Sequence, residues 1–118
     1  MKRQASVRTP AGWLYVRIAD GFVDRAVGLL GRRSLDEAHG LLLHPCSSIH
    51  TAFMRMPIDV LFLDEQSRVL SVATLRPWRV RWVPKAVGVV ELAAGVAARH
   101  GVTRGVRLDV LRLPAAQL

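Results

Sequence analysis

The chain lacks several features that would narrow its class. It holds one cysteine, Cys46, among 118 residues, so no internal disulfide can form and the core must be stabilised by burial and hydrogen bonding. No uninterrupted apolar run reaches the ~20 residues of a membrane-spanning helix. The opening residues, MKRQASVRTPAGW, contain no apolar stretch typical of a secretory signal. These absences predict a cytoplasmic protein without a transmembrane segment.

Acidic residues are scarce, because nine Asp and Glu stand against 17 Lys and Arg and give a formal net charge of +8. A strongly basic protein attracts polyanions, so nucleic acid is one candidate partner. The cations are spread from Arg3 to Arg112, however, and scattered charge contributes only a weak attraction that ignores base sequence. Net charge alone therefore does not favour a nucleic-acid-binding function.

Internal repeats, low-complexity segments and long linkers are also missing. A chain of this length typically forms one hydrophobic core. We predict a flexible N-terminal tail at residues 1–11 and a single globular domain at residues 12–118.

The hydrophobic pattern indicates short strands and one early helix. Apolar residues alternate from Trp13 to Ile18, which is the period of a half-buried strand. Over residues 21–30 they recur at three- and four-residue spacing, which predicts a helix. Further strands are predicted at 41–44, 58–63, 69–75, 87–92 and 106–111, with an edge strand or extended loop between Pro77 and Pro84.

These elements predict an α+β fold. The polar residues 64–67 separate two predicted strands by about the length of a hairpin loop, so antiparallel pairing is expected. We predict a small, mostly antiparallel twisted sheet or barrel-like fold with one clear helix at about 21–30 and a second short helix or turn at about 93–100.

Four short motifs occur in a characteristic order, at Gly28–Arg32, Gly40–Leu43, Pro57–Asp64 and Glu91–Gly95. Their order and spacing over about residues 12–113 resemble the domain of unknown function 192 family. Within it, the chain resembles the variant branch with Ile-His-Thr before the Pro-Ile-Asp strand. The resemblance implies a compact, mostly antiparallel fold and no established reaction, substrate or cofactor.

Residues 39–50 hold three of the four histidines and the only cysteine. His44 and Cys46 would share one strand face, and His39 or His50 could complete the nitrogen and sulfur ligands that Zn²⁺ prefers. Structural zinc sites, however, usually present two close pairs of Cys or His. We therefore expect no metal and no other cofactor, and His44, Cys46 and His50 are the candidate ligands if a metal binds.

Cys46 and His50 could instead form a nucleophile and its base, because a nearby imidazole promotes thiolate formation. No third orienting group is identifiable from the sequence, and a free cysteine is commonly a small buried apolar residue. A Cys/His enzyme is therefore an alternative rather than the favoured function.

Asp59 is unexpected because it lies in the most apolar predicted strand. A buried carboxylate needs a cation or several N–H donors, and we expect Arg32, Arg55 or backbone N–H groups to supply them. Glu91 has a similar status and could pair with His50. The ordinary explanation for either acid is a structural carboxylate whose hydrogen bonds are satisfied.

The polar residues of the motif region lead to our main hypothesis. We expect a non-catalytic accessory module that holds a small ligand or a protein segment in a loop-rimmed cleft. The residues predicted to line this cleft are His50, Thr51, Asp59, Glu91 and Arg32. No complete catalytic constellation can be assembled from the sequence, which argues against an enzyme.

A segment rich in arginine and tryptophan gives the second alternative, which is nucleic-acid or polyanion binding. Flat apolar rings next to cations suit stacking on bases or contact with an anionic surface. The ordinary explanation is an edge strand whose arginines discourage aggregation. The candidate residues are Arg76, Trp78, Arg79, Arg81 and Trp82.

Overall fold

A computed structural model describes residues 4–19, 39–52 and 54–112. The strands of this part are β1 (Gln4–Thr9), β2 (Gly12–Ala19), β3 (His39–Leu43), β4 (Ser48–His50), β5 (Ile58–Leu63), β6 (Val69–Leu75), β7 (Val80–Trp82), β8 (Gly88–Ala93) and β9 (Asp109–Arg112). One short helix, α1 (Val96–Arg99), follows β8. The described residues are thus mainly β, and the expectation of an α+β fold is corrected accordingly.

Seven strands form one sheet in the order β6-β5-β8-β3-β2-β1-β9, and β4 and β7 form a separate two-stranded sheet. In the part of the chain that the structure describes, every strand pair is antiparallel except β2 with β3, which run parallel. The predicted hairpin is confirmed, because β5 pairs antiparallel with β6. The predicted extended segment after Pro77 contains β7.

The sheet curls until its two end strands approach each other. Residues next to β6 and β9 form an isolated bridge between Arg68 and Arg107. On either side of the bridge, the Val69 N–H donates to the Val106 carbonyl at 2.8 Å and the Leu108 N–H donates to the Ser67 carbonyl at 2.9 Å. This contact closes the curl at one point and gives a half-barrel, as the barrel-like prediction anticipated.

Both faces of the sheet are covered at its middle. One core cluster fills the inside of the curl and includes Leu14, Val16 and Ile18, the alternating residues of β2. A second cluster covers the opposite face of β3, β5 and β8. Strand β5 is buried along its whole length, which explains why its sequence is apolar at nearly every position.

Three further predictions, of the N-terminal tail and of the two helices, meet different outcomes. A flexible tail is wrong for Gln4–Thr9, because β1 pairs with both β2 and β9 and buries Ala5 and Val7. The predicted helix at 21–30 lies outside the described residues. The second short helix is confirmed as α1, which begins after Gly95 and is followed by Gly101, both with a positive φ.

Gly40 in β3 provides a test of how tightly the middle of the sheet packs. A Cβ at this position would lie 2.7 Å from the Glu91 carbonyl oxygen and 2.6 Å from the Leu92 Cδ2. Because the backbone atom cannot move aside cheaply, Gly40→Ala should lower the free energy of unfolding by about 1–3 kcal/mol in urea denaturation. Gly88→Ala is the matched control, since its Cβ would meet nothing closer than 3.6 Å. Equal stability of the two variants would contradict this packing.

Candidate functional site

The two acids predicted to share a cleft leave the sheet on opposite sides. Asp59 in β5 lies opposite Leu92 of β8, whereas Glu91 lies opposite Val60. Successive side chains of a strand point to opposite faces, so a carboxylate at Asp59 and one at Glu91 cannot face the same space. The structure therefore does not bring the predicted cleft together.

Asp59 is satisfied inside the curl by three hydrogen bonds. Its Oδ2 accepts the N–H of Gly95 at 2.9 Å and the N–H of Ala97 at 3.0 Å, and its Oδ1 accepts the hydroxyl of Thr74 at 2.6 Å. The expected backbone donors are thus confirmed. Arg55 is exposed, and Arg32 lies outside the described residues. Asp59 fixes the first turn of α1 against the sheet, which is a structural role.

Thr74, whose hydroxyl completes this network, is not among the residues predicted from the sequence. It lies directly opposite Asp59 in the pairing of β5 with β6. A threonine facing a buried acid across a hairpin is a signal available from the sequence once the hairpin register is known. The loop length alone does not fix that register, because the paired strands contain a bulge near Phe62.

Replacing Asp59 tests how much this network stabilises the fold. Asp59→Ala leaves two buried N–H groups without an acceptor, so the free energy of unfolding at pH 7 should fall by about 2–4 kcal/mol in chemical denaturation. Asp64→Ala is the control, because Asp64 also accepts two backbone N–H groups, of Gln66 and Arg68, but in an exposed turn. Water can replace that acceptor, so the control should lose under about 1 kcal/mol.

Glu91 is the second buried acid, with only 3% of its surface exposed. No hydrogen bond or ion pair joins its carboxyl group to any residue of the described part. By register, Arg17 lies on the same face but beyond Leu41, about 10 Å away at the usual strand spacing. Burial therefore raises the pKa of Glu91 to about 7. His50 is exposed, and the predicted Glu91–His50 pair is not formed.

This pKa makes stability depend on pH in a defined direction. The folded protein keeps Glu91 protonated up to about pH 7, whereas the unfolded chain loses the proton near pH 4.5. Stability associated with this group is therefore complete below pH 4.5 and is lost as the pH rises to about 7, by about 3 kcal/mol.

Glu91→Gln should remove this dependence. At pH 8 the variant should be more stable than the parent by up to about 3 kcal/mol, and at pH 4 the two should agree within about 1 kcal/mol, by urea denaturation at each pH. Glu65→Gln is the control, because Glu65 is exposed. A stability difference for Glu91→Gln that stays constant from pH 4 to pH 8 would contradict the raised pKa.

Thr51 is fully buried and holds the loop that precedes β7. Its hydroxyl donates to the Arg76 carbonyl at 2.6 Å and accepts the Arg79 N–H at 2.7 Å. Its carbonyl accepts the Trp78 N–H at 3.0 Å. These bonds use the hydroxyl as both donor and acceptor, so Thr51 shapes the loop around residues 76–79 rather than lining a cleft.

Of the predicted Cys/His residues, His44 and Cys46 lie in the loop before β4, and His50 is the last residue of β4. The backbone N–H of Cys46 donates to the Val87 carbonyl at 3.0 Å, and the Cys46 thiol donates to the Ser48 carbonyl at 3.1 Å. His50, the last residue of β4, pairs with Val80. The Cys46 thiol is directed at a backbone carbonyl two residues before His50, and His50 is exposed. Within the described ranges, no three His, Cys, Asp or Glu side chains are grouped to hold a metal ion.

The arginine and tryptophan segment is the predicted region that the structure leaves most accessible. We call β4, β7 and the loop at 76–79 the ribbon. Its inner side is anchored by Ile49, which packs in the second core cluster. Its outer side presents Trp78 and Trp82, with 60% and 66% of their surfaces exposed. The arginines at 76, 79 and 81 are exposed as well, although Arg81 pairs with Ile49 and so leaves β7 on the side opposite to Trp82.

Residues 5–110 match a family described as DUF192, uncharacterized ACR. The match covers most of the 118 residues. The chain belongs to the DUF192 family. The resemblance read from its four motifs is thereby confirmed, and the family carries no established activity.

Relatives of this DUF192 chain include UPF0127 proteins of archaea. The chain is 46% identical to one from Pyrococcus horikoshii over 74 residues, which are 60% of this chain and 64% of that protein. It is 37% identical to one from Pyrococcus furiosus over 103 residues, which are 83% and 88% of the two chains. The alignment thus spans somewhat less than two thirds of the Pyrococcus horikoshii protein.

Two solved structures share the DUF192 fold described above. A Sinorhizobium meliloti protein, provisionally described as a transcription regulator, has a TM-score of 0.79 and 25% identity over 93% of this chain and 94% of its own. A Novosphingobium aromaticivorans protein of unknown function has a TM-score of 0.77 and 22% identity over 90% and 83% of the two chains. The described part of the chain contains no helix with the length and hydropathy that crossing a bilayer requires.

Proposed function

We propose that this chain is a non-catalytic binding module, and that its outer ribbon surface binds single-stranded nucleic acid. The observation that carries the proposal is the exposure of Trp78 and Trp82 among exposed arginines. Small proteins usually bury their tryptophans, because burying each ring removes a large apolar area from water. Two largely exposed rings in a segment with exposed arginines are typical of a surface that stacks on bases and contacts phosphates.

The charge of the ribbon is of one sign. No acidic residue occurs in the sequence between Glu65 and Glu91, a stretch that contains the loop at 76–79, β7 and the exposed Lys85. A polyanion would therefore meet no local repulsion along this surface. Scattered charge across the rest of the chain adds a general attraction, while the ribbon supplies the place of contact.

The loop also holds one ring in a preset position. Trp78 has a φ of 64°, a conformation that bulky residues rarely adopt and that costs of order 1–3 kcal/mol. The hydrogen bonds of Thr51 on both sides of this residue compensate for that cost. Because the loop that carries Trp78 is already ordered, less conformational entropy is lost when the ring binds a partner, which favours affinity.

The comparisons add modest support for this choice of partner. The Sinorhizobium meliloti protein is provisionally described as a transcription regulator, a class that works on nucleic acid. The alternative of a Cys/His enzyme gains no such support, because the Cys46 thiol donates to the Ser48 carbonyl and His50 is exposed. A small ligand shared between Asp59 and Glu91 is likewise unsupported, since they face opposite sides of the sheet.

The proposal is tested by fluorescence anisotropy with a labelled deoxythymidine oligonucleotide of about 15 nucleotides, matching the upper range of compact single-strand sites. Arg81→Ala combined with Trp82→Ala should weaken binding at least about tenfold, because each stacked base contributes about 1–3 kcal/mol. With about three phosphates contacted, log K should fall against log salt with a slope near −2.

The matched control is Tyr15→Ala combined with Arg104→Ala, which removes an exposed aromatic ring and an exposed cation outside the ribbon. It should leave oligonucleotide binding within about twofold. Absent binding at 50 mM salt, salt-insensitive binding, or an equal loss in the control variant would refute the ribbon as a nucleic-acid surface. Binding to phosphatidylserine vesicles without binding to the oligonucleotide would refute it too.

A further inference from the structure

A cavity of about 300 Å³ lies at the seam where the curled sheet closes. Its walls come from β1, β2, β9 and the turn of the β5–β6 hairpin. The ribbon follows the other end of β6, and the seven residues of that strand span about 23 Å. The cavity and the ribbon share no residue, so each can be altered without touching the other.

One wall of the cavity is an aromatic ring under a cation. Trp13 has 44% of its surface exposed, and the guanidinium carbon of Arg8 lies 5.9 Å from the centre of its ring. Their positions are fixed by the direct pairing of these two residues between β1 and β2. A planar heterocycle can stack on the part of the ring that the guanidinium leaves uncovered, while the guanidinium over the ring meets negative charge.

A second guanidinium faces the same space from across the seam. Arg107 donates from Nε to the Gln66 carbonyl at 3.2 Å, and its terminal amino groups make no hydrogen bond to the described part of the chain. A guanidinium that is already oriented presents a donor fork suited to phosphate oxygens. Two arginines against the single acid Asp109 leave the cavity cationic.

The remaining polar groups suit a sugar better than an apolar ligand. Asp109 can accept hydrogen bonds from hydroxyl groups, and Ser67 offers a hydroxyl for which the described structure records no partner. Ser67 also has a φ of 62°, a strained backbone that the surrounding turn must hold in place. These groups lie at the same seam as both arginines.

We propose that this cavity binds a nucleoside phosphate, with the base stacked on Trp13 and the phosphate held by Arg8 and Arg107. The volume lies at the lower end of the range for small-molecule sites, so it accommodates one nucleotide rather than several. The proposal concerns a site separate from the ribbon and does not depend on oligonucleotide binding there.

Isothermal titration calorimetry with AMP, adenosine and inorganic phosphate tests this site. AMP should bind at least about tenfold more tightly than adenosine or phosphate alone, because only AMP contacts both the ring and the guanidinium groups. Trp13→Ala and Arg107→Ala should each weaken AMP binding by about tenfold or more. Both side chains are exposed, so these variants should keep the parent melting temperature.

Trp82→Ala is the matched control and should leave AMP binding within about twofold, although it weakens oligonucleotide binding at the ribbon. The site would be refuted by no detectable AMP binding at about 5 mM, by unchanged affinity in Trp13→Ala, or by loss of AMP binding in Trp82→Ala. If a 5′-phosphorylated oligonucleotide displaces AMP, the site exists and its natural ligand is the end of a nucleic-acid chain. If only free nucleotides displace AMP, the site exists and its natural ligand is a mononucleotide.

Discussion

The carboxylate of Asp59 is the interaction on which the inside of the curled sheet depends. It lies in β5, the strand buried along its whole length, where an unpaired charge would cost several kcal/mol. Among the described residues, the N–H groups of Gly95 and Ala97 and the hydroxyl of Thr74 compensate for that cost. The short helix must therefore sit over β5, although four residues could not form a stable helix alone. One acid thus fixes the position of α1 and, through it, the packing of Val96 in the core.

Much of the fold could be predicted from local patterns. Alternation identified β2, the continuous apolar run identified β5, and the polar turn identified the β5–β6 hairpin. Strand β1 was missed because its six residues bury only two clearly apolar side chains, too few to establish a period against the surrounding polar residues. The parallel pairing of β2 with β3 was missed because it joins segments separated by residues 20–38, and no local signal specifies such a partner.

The candidate site was harder to predict, because it depends on register. The sequence indicates that Asp59 and Glu91 are unusual, because each is an acid within an apolar strand. Both are buried, as their apolar neighbours in the sequence predict. Whether they share a face depends on how β5 aligns with β8, and a shift of one residue would reverse the answer. Nothing near either residue encodes that alignment. The cavity at Arg8, Trp13 and Arg107 could not be predicted for the same reason. Its lining comes from three segments that are distant in sequence, at 8–13, 66–67 and 107–111, and they meet only where the sheet closes.

The separation of the ribbon from the seven-stranded sheet has a consequence for how such a protein can evolve. Within the ribbon, Ile49 packs in the core and Thr51 orders the loop, while every residue of β7 is exposed. Substitutions in β7 can therefore change what the surface recognises while the core contacts stay the same. Relatives could diverge in partner at this strand without losing the fold, and the ribbon can vary faster than the sheet that carries it.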